Sequence, residues 1–131
     1  MKVLFVCQGN AGRSQMAEAF FNKLSKKHSA FSAGTQAKTK KSIPEKVIMS
    51  MKEFGIDVSK NKRKKLAKKN IENADKIIVM CRANDLIKKA KKPGKITFWK
   101  VKDPSEMSLK LLNKIRNKIK KKVEELVKEI G

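Results

Sequence analysis

Residues 2–18 decide the fold of this chain, and they read KVLFVCQGNAGRSQMAE. The first part, Lys2–Cys7, is a short apolar run with β-branched residues, which predicts a buried parallel strand. The run breaks at Gly9 and Gly12, and from Ser14 onward the apolar residues recur at helical spacing, at Ala17, Phe20, Phe21 and Leu24. A strand, a glycine-bearing loop and a helix in this order predict the opening unit of an α/β domain.

The rest of the chain continues this alternation of strands and helices. The predicted strands are Phe31–Ala33, Lys76–Cys81 and Lys95–Val101, and the predicted helices are Ile43–Phe54, Ala83–Ala90 and Ser108–Ile130. Pro44 near a first turn and Gly55 just past a helix end support the second helix, and Pro93-Gly94 predicts a turn. We therefore expect one domain over residues 1–131, with right-handed crossovers and a parallel sheet covered by helices on both faces.

Lysine dominates the composition. Of the 131 residues, 34 are Lys or Arg and 12 are Asp or Glu, which gives a net charge of +22. Such an excess favours polyanions, so nonspecific nucleic-acid binding is one alternative, although no RNP, zinc-finger or helix-turn-helix signature accompanies it. A lysine-rich proteome or adaptation to heat or salt explains the same lysines. The densest run, Lys60–Lys69, is interpreted as a solvated loop and short helix.

Apolar segments and cysteine content bear on the compartment in which this protein is expected to work. No stretch approaches the ~20 apolar residues of a membrane span, and MKVLFVC is too short for the apolar region of a signal peptide. We expect a cytoplasmic protein without a membrane partner, whose thiols stay reduced. Its two cysteines, Cys7 and Cys81, are too few for a disulfide scaffold or a zinc site. We therefore expect no metal and no cofactor, and favour reactive thiols.

The loop after the first strand has the composition of an oxyanion site. Its amides and those of the following helix N-terminus can form a nest for a tetrahedral dianion, which glycines allow to approach closely. Arg13 can bind two oxyanion oxygens at once, and the positive field favours the nucleophilic thiolate of Cys7. Ser14 is positioned to hydrogen-bond this thiolate, and Asn10 to brace the loop. The expected oxyanion-binding residues are Gln8, Gly9, Asn10, Ala11, Gly12, Arg13 and Ser14. The alternative is a buried structural cysteine followed by an ordinary turn.

These residues carry a resemblance to a known family. CQGNAGRSQMAEA, at 7–19, is similar to the active-site loop of the low-molecular-weight protein-tyrosine phosphatase superfamily, which includes the thioredoxin-coupled arsenate reductases. Further motifs follow in family order: SAGT at 32–35, GIDVS at 55–59, VMCRAN at 79–84 and DP at 103–104. The resemblance implies a three-layer α/β/α fold of the phosphatase-I type with a four-stranded parallel sheet. It also implies Cys7 as nucleophile, Arg13 as oxyanion clamp and Asp103 as general acid.

The residues themselves give Asp103 two interpretations. Expelling an alkoxide or phenolate without a proton is costly, so a carboxylic acid within reach of the leaving oxygen is needed. Asp103 follows the last predicted strand, at the carboxyl end of the sheet, where such an acid could lie over the oxyanion loop. The alternative is that Asp103 caps the N-terminus of the final helix.

Several positions bear on the branch of the superfamily. Gly12 stands where the phosphotyrosine enzymes usually carry a cysteine, and no aromatic residue follows Asp103-Pro104 or occurs in 35–43, which argues against a phosphotyrosine ring. Ser14–Glu18, Cys81 and Trp99 resemble the arsenate reductases instead. In those enzymes a second cysteine attacks the first and a third exports the disulfide. Cys81 fits the second, and Ile87-Lys88-Lys89 stand where the third is expected.

Three functions follow as hypotheses. The first is a cysteine-dependent phosphomonoesterase acting through a phosphocysteine, on phosphotyrosine, phosphoarginine or a small phosphate ester. The second is an arsenate reductase in which a Cys7–Cys81 disulfide is opened by an external reductant, a thioredoxin-like protein or a small thiol. The third is a basic module that binds an oxyanion or nucleic acid without turnover. Cys81 is otherwise a small buried residue at a strand end, and His28 a solvent residue near a helix end.

Overall fold

Strands and helices alternate along the chain in the computed structural model, which describes residues 1–90 and 94–131. The strands are β1 (Lys2–Cys7), β2 (Ser29–Gly34), β3 (Lys76–Val79) and β4 (Ile96–Phe98). The helices are α1 (Arg13–Leu24), α2 (Glu45–Lys52), α3 (Lys68–Asn73), α4 (Asp85–Lys88) and α5 (Leu109–Ile130).

The strands form one parallel sheet in the order β2-β1-β3-β4. The central strand β1 pairs with β2 along its whole length, and its Val3 and Val6 pair with Lys76 and Val79 of β3. The chain therefore leaves β1 toward one side for β2 and returns to its other side for β3. In parallel sheets, ligands bind at the carboxyl ends of the strands where the order reverses in this way, which here is the gap between β1 and β3.

Two apolar clusters cover the two faces of the sheet, because successive strand residues point to opposite sides. Val3 and Phe5 pack with α1, α2 and α5, whereas Leu4 and Val6 pack with α3 and α4. Fully burying a side chain such as Phe21 of α1 stabilises the fold by about 1.5–3 kcal/mol. The predicted three-layer α/β/α fold with a four-stranded parallel sheet is confirmed.

Several element ends differ from the sequence prediction. The second helix is shorter than Ile43–Phe54, because Pro44 is its N-cap and Gly55 has a positive φ of 70° just beyond it. The fourth helix shrinks to Asp85–Lys88, since Asn84 caps it by accepting the N–H of Ile87. Strands β3 and β4 stop before Cys81 and Val101. Leu24 is 40% exposed and lies outside the apolar stripe. Gly94 has a φ of 80°, whereas Pro93 of the predicted turn lies outside the described residues.

The last helix, α5, begins after Ser108, whose Oγ accepts the N–H of Leu111 at 3.3 Å. Ser108 is therefore the N-cap, and the alternative that Asp103 caps this helix is wrong. Across residues 1–90 and 94–131, no helix is long and apolar enough to cross a membrane.

Candidate active site

The Cys7 thiol ends the central strand and is held by two groups of the loop that follows. The residue is 2% exposed. Its Sγ accepts the backbone N–H of Asn10 at 3.2 Å and lies 2.9 Å from Ser14 Oγ. A thiolate at this position, which has no proton to give, can accept from both groups.

Asn10 ties the loop together from inside. It is fully buried and has a φ of 50°, a left-handed conformation that asparagine tolerates better than most residues. Its Oδ1 accepts the backbone N–H of Lys64 at 2.8 Å. Because a backbone N–H can only donate, this contact fixes the orientation of the Asn10 amide and identifies its other atom as the donor Nδ2. Nδ2 donates to Ser14 Oγ at 2.8 Å and to Ser32 Oγ at 3.0 Å. Because Ser14 Oγ accepts from Asn10, its own proton is left for Cys7 Sγ.

The charged segment 60–67 holds this loop through its backbone. In addition to the Lys64 contact with Asn10, the carbonyl of Lys62 accepts from Gln15 Nε2 at 3.3 Å. The carbonyl of Lys64 accepts the N–H of Gly34, and the N–H of Leu66 donates to the carbonyl of Gly34, each at 2.8 Å. The interpretation of Lys60–Lys69 as a solvated loop and short helix holds for its lysine side chains and for α3. Its backbone contacts were missed, because hydropathy carries no signal for them.

Gly34 ends β2 against the same loop, and only a glycine fits there. A Cβ at this position would lie 2.6 Å from the carbonyl oxygen of Gln8 and 2.7 Å from the nitrogen of Asn10. The next two residues continue the contact, since Thr35 N–H donates to Cys7 O at 3.0 Å and Gln36 N–H donates to Gln8 O at 2.8 Å. This close approach gives the SAGT motif its physical reason.

Arg13 opens α1 and is nearly buried, with 7% of the residue exposed. Its Nη1 donates to the carbonyl of Met80, which follows β3, and to that of Val101, which follows β4, the latter at 3.1 Å. Its Nη2 lies 4.0 Å from Asp103 Oδ2. The guanidinium is thus fixed between two strand ends, and it also lines the cavity described next.

A cavity of about 520 Å³ opens over the loop. Cys7, Gly9, Ala11, Gly12 and Arg13 form one side of it, and the segment 103–107 faces them. Among the residues that the structure describes, none of those lining the cavity is aromatic, and Lys38, Lys46 and Arg63 lie on its remaining walls.

Asp103 lies on the cavity wall with half of its side chain exposed. Its Oδ1 accepts the N–H of Ser105 at 2.9 Å, which leaves Oδ2 near Arg13. The next residue, Pro104, covers Gly12, where a Cβ would lie 3.3 Å from Pro104 Cγ. A glycine at position 12 therefore lets the Asp103 segment lie closer to the loop than a cysteine would.

Cys81 lies beside Cys7 but outside the cavity lining. The ladder from Val6 to Val79 continues with Met80 N–H donating to Val6 O at 2.8 Å, and Cys81 follows directly. Its half-buried Sγ donates to Arg82 O at 3.3 Å. Burial raises the pKa of the Cys81 thiol, a hydrogen bond from Thr35 opposes this, and the nearby Cys7 raises the pKa further. The two cysteines therefore lie at the carboxyl ends of paired strands, at the same edge of the sheet.

Two other residues singled out in the sequence lie away from the loop. Trp99 packs on Phe5 with ring centroids 5.8 Å apart, and Lys122 Nζ lies over the Trp99 ring, 5.6 Å from its centroid. His28 Nδ1 is 3.1 Å from the N-terminal amine of Met1. Neither residue lines the cavity over Cys7.

The parallel sheet and this site together define a class of protein. A cysteine ends the central strand, a loop of backbone amides leads into a helix, and an arginine in that helix's first turn lines the same cavity. This is the arrangement of α/β enzymes in which a cysteine attacks a bound oxyanion.

Comparison with known proteins gives the family. The family model for low molecular weight phosphotyrosine protein phosphatase matches residues 2–131, and the chain belongs to this family. Arsenate reductase 1 from Bacillus cereus (strain ATCC 10987 / NRS 248) is 30% identical, over 86% of this chain and 84% of that protein. The resemblance predicted from the sequence motifs is confirmed, and the chain is a cysteine-based enzyme of the phosphatase or arsenate reductase type.

Solved structures from both branches are similar to this chain. The low molecular weight protein tyrosine phosphatase from T. tengcongensis superposes with a TM-score of 0.84 at 29% identity, over 98% of this chain and 99% of that one. An arsenate reductase in the phosphate binding state superposes with a TM-score of 0.81, also at 29% identity, over 99% of this chain and 98% of that one. Both structures have the same sequence identity to this chain, so the comparison does not distinguish a phosphatase reaction from arsenate reduction.

Proposed function

We propose that this chain is a cysteine-dependent phosphomonoesterase that works through a phosphocysteine intermediate. The observation that carries the proposal is the Cys7 sulfur, which accepts the Asn10 N–H and contacts the Ser14 hydroxyl at the edge of a cavity that Arg13 and Asp103 also line. The substrate is a phosphate ester whose phosphoryl oxygens bind the amides of residues 8–14 and the Arg13 guanidinium.

In the first step the Cys7 thiolate attacks phosphorus in line with the ester oxygen. The S–P bond forms, the P–O bond breaks, and Asp103 gives its proton to the leaving oxygen. Charge that develops on the equatorial oxygens is stabilised by Arg13 and the loop amides, which are already oriented before the substrate arrives. The position of Asp103 on the wall of the cavity that Cys7 also lines supports this role.

In the second step water hydrolyses the phosphocysteine. Asp103, now ionised, takes a proton from water as the water oxygen attacks phosphorus, and the S–P bond breaks to give orthophosphate and the thiolate. A departing thiolate has no proton and can only accept, so the Ser14 hydroxyl, 2.9 Å from the sulfur, donates to it and stabilises it.

A paired assay tests the proposal. Hydrolysis of 4-nitrophenyl phosphate and a simple alkyl phosphate is measured beside reduction of arsenate, with thioredoxin, glutathione or dithiothreitol as reductant. We expect ester hydrolysis that depends on Cys7 and not on the identity of the reductant. Arsenate reduction without any ester hydrolysis would refute the phosphomonoesterase proposal.

A second candidate function is arsenate reduction, and the position of Cys81 beside Cys7 supports it. Arsenate would add to the Cys7 thiolate with loss of water, and the Cys81 thiolate would then attack Cys7 Sγ. The S–S bond forms as the S–As bond breaks, its electron pair reduces As(V) to As(III), and arsenite leaves. Because the chain has only these two cysteines, an external thiol must reduce the disulfide.

The third candidate is a basic module that binds oxyanions or nucleic acid without turnover. Its support is the net charge of +22 alone. Binding to unrelated polyanions that weakens steeply with salt, together with no turnover of any ester or of arsenate, is its signature.

A further inference from the structure

Cationic side chains outside the Cys7 loop also line the cavity over Cys7. Four cationic residues line it, namely Arg13, Lys38, Lys46 and Arg63, against the carboxylates of Asp103 and Glu106. Arg13 and the loop amides already serve the phosphoryl group. The other three cations come from three segments of the chain, and within the part that the structure describes none of them forms an ion pair with a carboxylate.

Arg63 is held in a fixed orientation. Its backbone N–H donates to Lys41 O and its carbonyl accepts the N–H of Lys40, each at 3.0 Å. Its Nε donates to Ser42 O, also at 3.0 Å. Within the described residues its two terminal nitrogens have no protein partner, so one edge of the guanidinium is anchored and the other is left for a ligand. Such a planar pair of donors suits a phosphate or carboxylate.

The two lysines of the cavity lining differ in the hydrogen bonds that their side chains make. Lys46 Nζ donates to the carbonyl of Met107 at 3.1 Å, which links α2 to the segment that carries Asp103. Lys38 is exposed, lines the cavity and makes no side-chain hydrogen bond within the described residues. Arg63 and Lys38 are therefore the two cations best placed to bind a second anionic group in the same cavity.

We propose that the substrate is a small phosphate ester with a second phosphate, whose reacting phosphoryl binds residues 7–14 and whose other phosphate binds Arg63 and Lys38. This specificity rests on the proposed phosphomonoesterase function. The volume of about 520 Å³ suits a small molecule, and the described lining has no aromatic wall for a phenyl ring. A small substrate is favoured over an acidic peptide because these cations line the cavity itself.

Binding of non-hydrolysable ligands tests the second site without relying on turnover. Propane-1,3-bisphosphonate and propylphosphonate are titrated calorimetrically into the full chain, and the spacer is then varied from two to six carbons. We expect the best bisphosphonate to bind about tenfold or more tightly than the monophosphonate, because a second charge-assisted contact is made. The preference is expected to shrink as salt rises.

A matched pair of double variants locates the effect. In Lys38→Gln/Arg63→Gln the ratio of the two affinities is expected to fall close to one. In Lys26→Gln/Lys69→Gln, which also loses two positive charges, at exposed positions outside the cavity lining, the ratio is expected to stay at the parent value. Equal losses in both variants would overturn the proposal, because the effect would then be one of total charge.

Three further outcomes of these experiments also test the proposal. If no bisphosphonate binds more tightly than propylphosphonate, the second site does not exist, whatever the ester assay shows. If a phosphopeptide with flanking aspartates exceeds every bisphosphonate and depends on Arg63, the small-molecule assignment is wrong. A preserved bisphosphonate preference in a chain that hydrolyses no ester would refute the proposed function and leave the second anion site standing.

Discussion

The loop that follows β1 and the segment that follows β3 lie side by side at the carboxyl edge of the sheet, and each carries one cysteine. The first runs through Asn10, whose N–H donates to the Cys7 sulfur, into the 12-residue helix α1, in which Ser14 Oγ lies 2.9 Å from that sulfur. The second bends at Cys81, whose thiol donates to the adjacent carbonyl of Arg82. Two thiols in neighbouring places thus have different hydrogen-bond partners, since the Cys7 sulfur accepts the N–H of Asn10 whereas the Cys81 sulfur donates to the carbonyl of Arg82.

Replacing the Cys7 sulfur is expected to have the largest effect. Cys7→Ser should lower ester hydrolysis by about 10⁴-fold or more, because a serine hydroxyl here has no base to activate it. Orthophosphate binding, measured by calorimetry, should survive, since Arg13 and the amides remain. Wild-type turnover in this variant would remove Cys7 from the nucleophile role and abolish the contrast between the two thiols.

Arg13→Lys should give the next largest effect. Lysine keeps the charge but loses the planar fork, whose five donors let Arg13 bind the carbonyls of Met80 and Val101 and two substrate oxygens at once. We expect a loss of about 3 kcal/mol in transition-state stabilisation, or roughly 10²-fold in kcat/KM. Arg116→Lys is a control, since Arg116 is also buried but binds Ser50 O and Glu53 far along the chain. It should lower thermal stability and leave kcat/KM unchanged, and near-normal activity of Arg13→Lys would make Arg13 a structural residue as well.

The contrast between the loops also marks what the sequence could reveal. The loop 7–14 is contiguous, so its residue types and spacing could be interpreted directly, and β1 has the predicted bounds. The contacts that hold it join distant segments, such as Lys64 N–H to Asn10 and Gly34 against Gln8. Backbone hydrogen bonds and close approaches of this kind depend on tertiary structure. Hydropathy therefore predicted the sheet and helices but placed Arg63 in a solvated run.

Asp103→Asn should have an effect that depends on the leaving group. Asparagine keeps the shape but cannot give a proton, so alkyl phosphates should slow by about 10²-fold or more, whereas 4-nitrophenyl phosphate should slow much less. The measurement is kcat/KM across a series of esters with graded leaving-group pKa values. Equal losses throughout the series would exclude Asp103 as the general acid. Glu106→Gln, at another carboxylate lining the cavity, should not change the slope of the series.

The smallest effect on ester hydrolysis is expected at Cys81. Its thiol lines no part of the cavity, so Cys81→Ser should change kcat/KM for phosphate esters by no more than about twofold. Reduction of arsenate, if the chain performs it, should fall sharply in the same variant, because Cys81 is the only other thiol of the chain. Unchanged arsenate reduction in Cys81→Ser would refute the relay.

The pH dependence of disulfide formation sharpens the comparison, because only the thiolate of Cys81 can attack Cys7. Burial raises the pKa of the Cys81 thiol, so at neutral pH its thiolate fraction is below that of a free thiol, and the fraction grows as pH rises toward the raised value. A Cys7–Cys81 bond also needs Cα atoms within roughly 7 Å, which neighbouring strands about 4.8 Å apart can provide. Treatment with peroxide or arsenate should therefore form this single bond faster as the pH rises through the alkaline range. Formation of the bond is measured by peptide mass mapping. Hydrolysis of esters should return when dithiothreitol opens the bond. A rate that levels off below the pKa of an ordinary thiol would contradict the burial of Cys81, and the absence of any Cys7–Cys81 peptide would leave Cys7 as the sole reactive thiol.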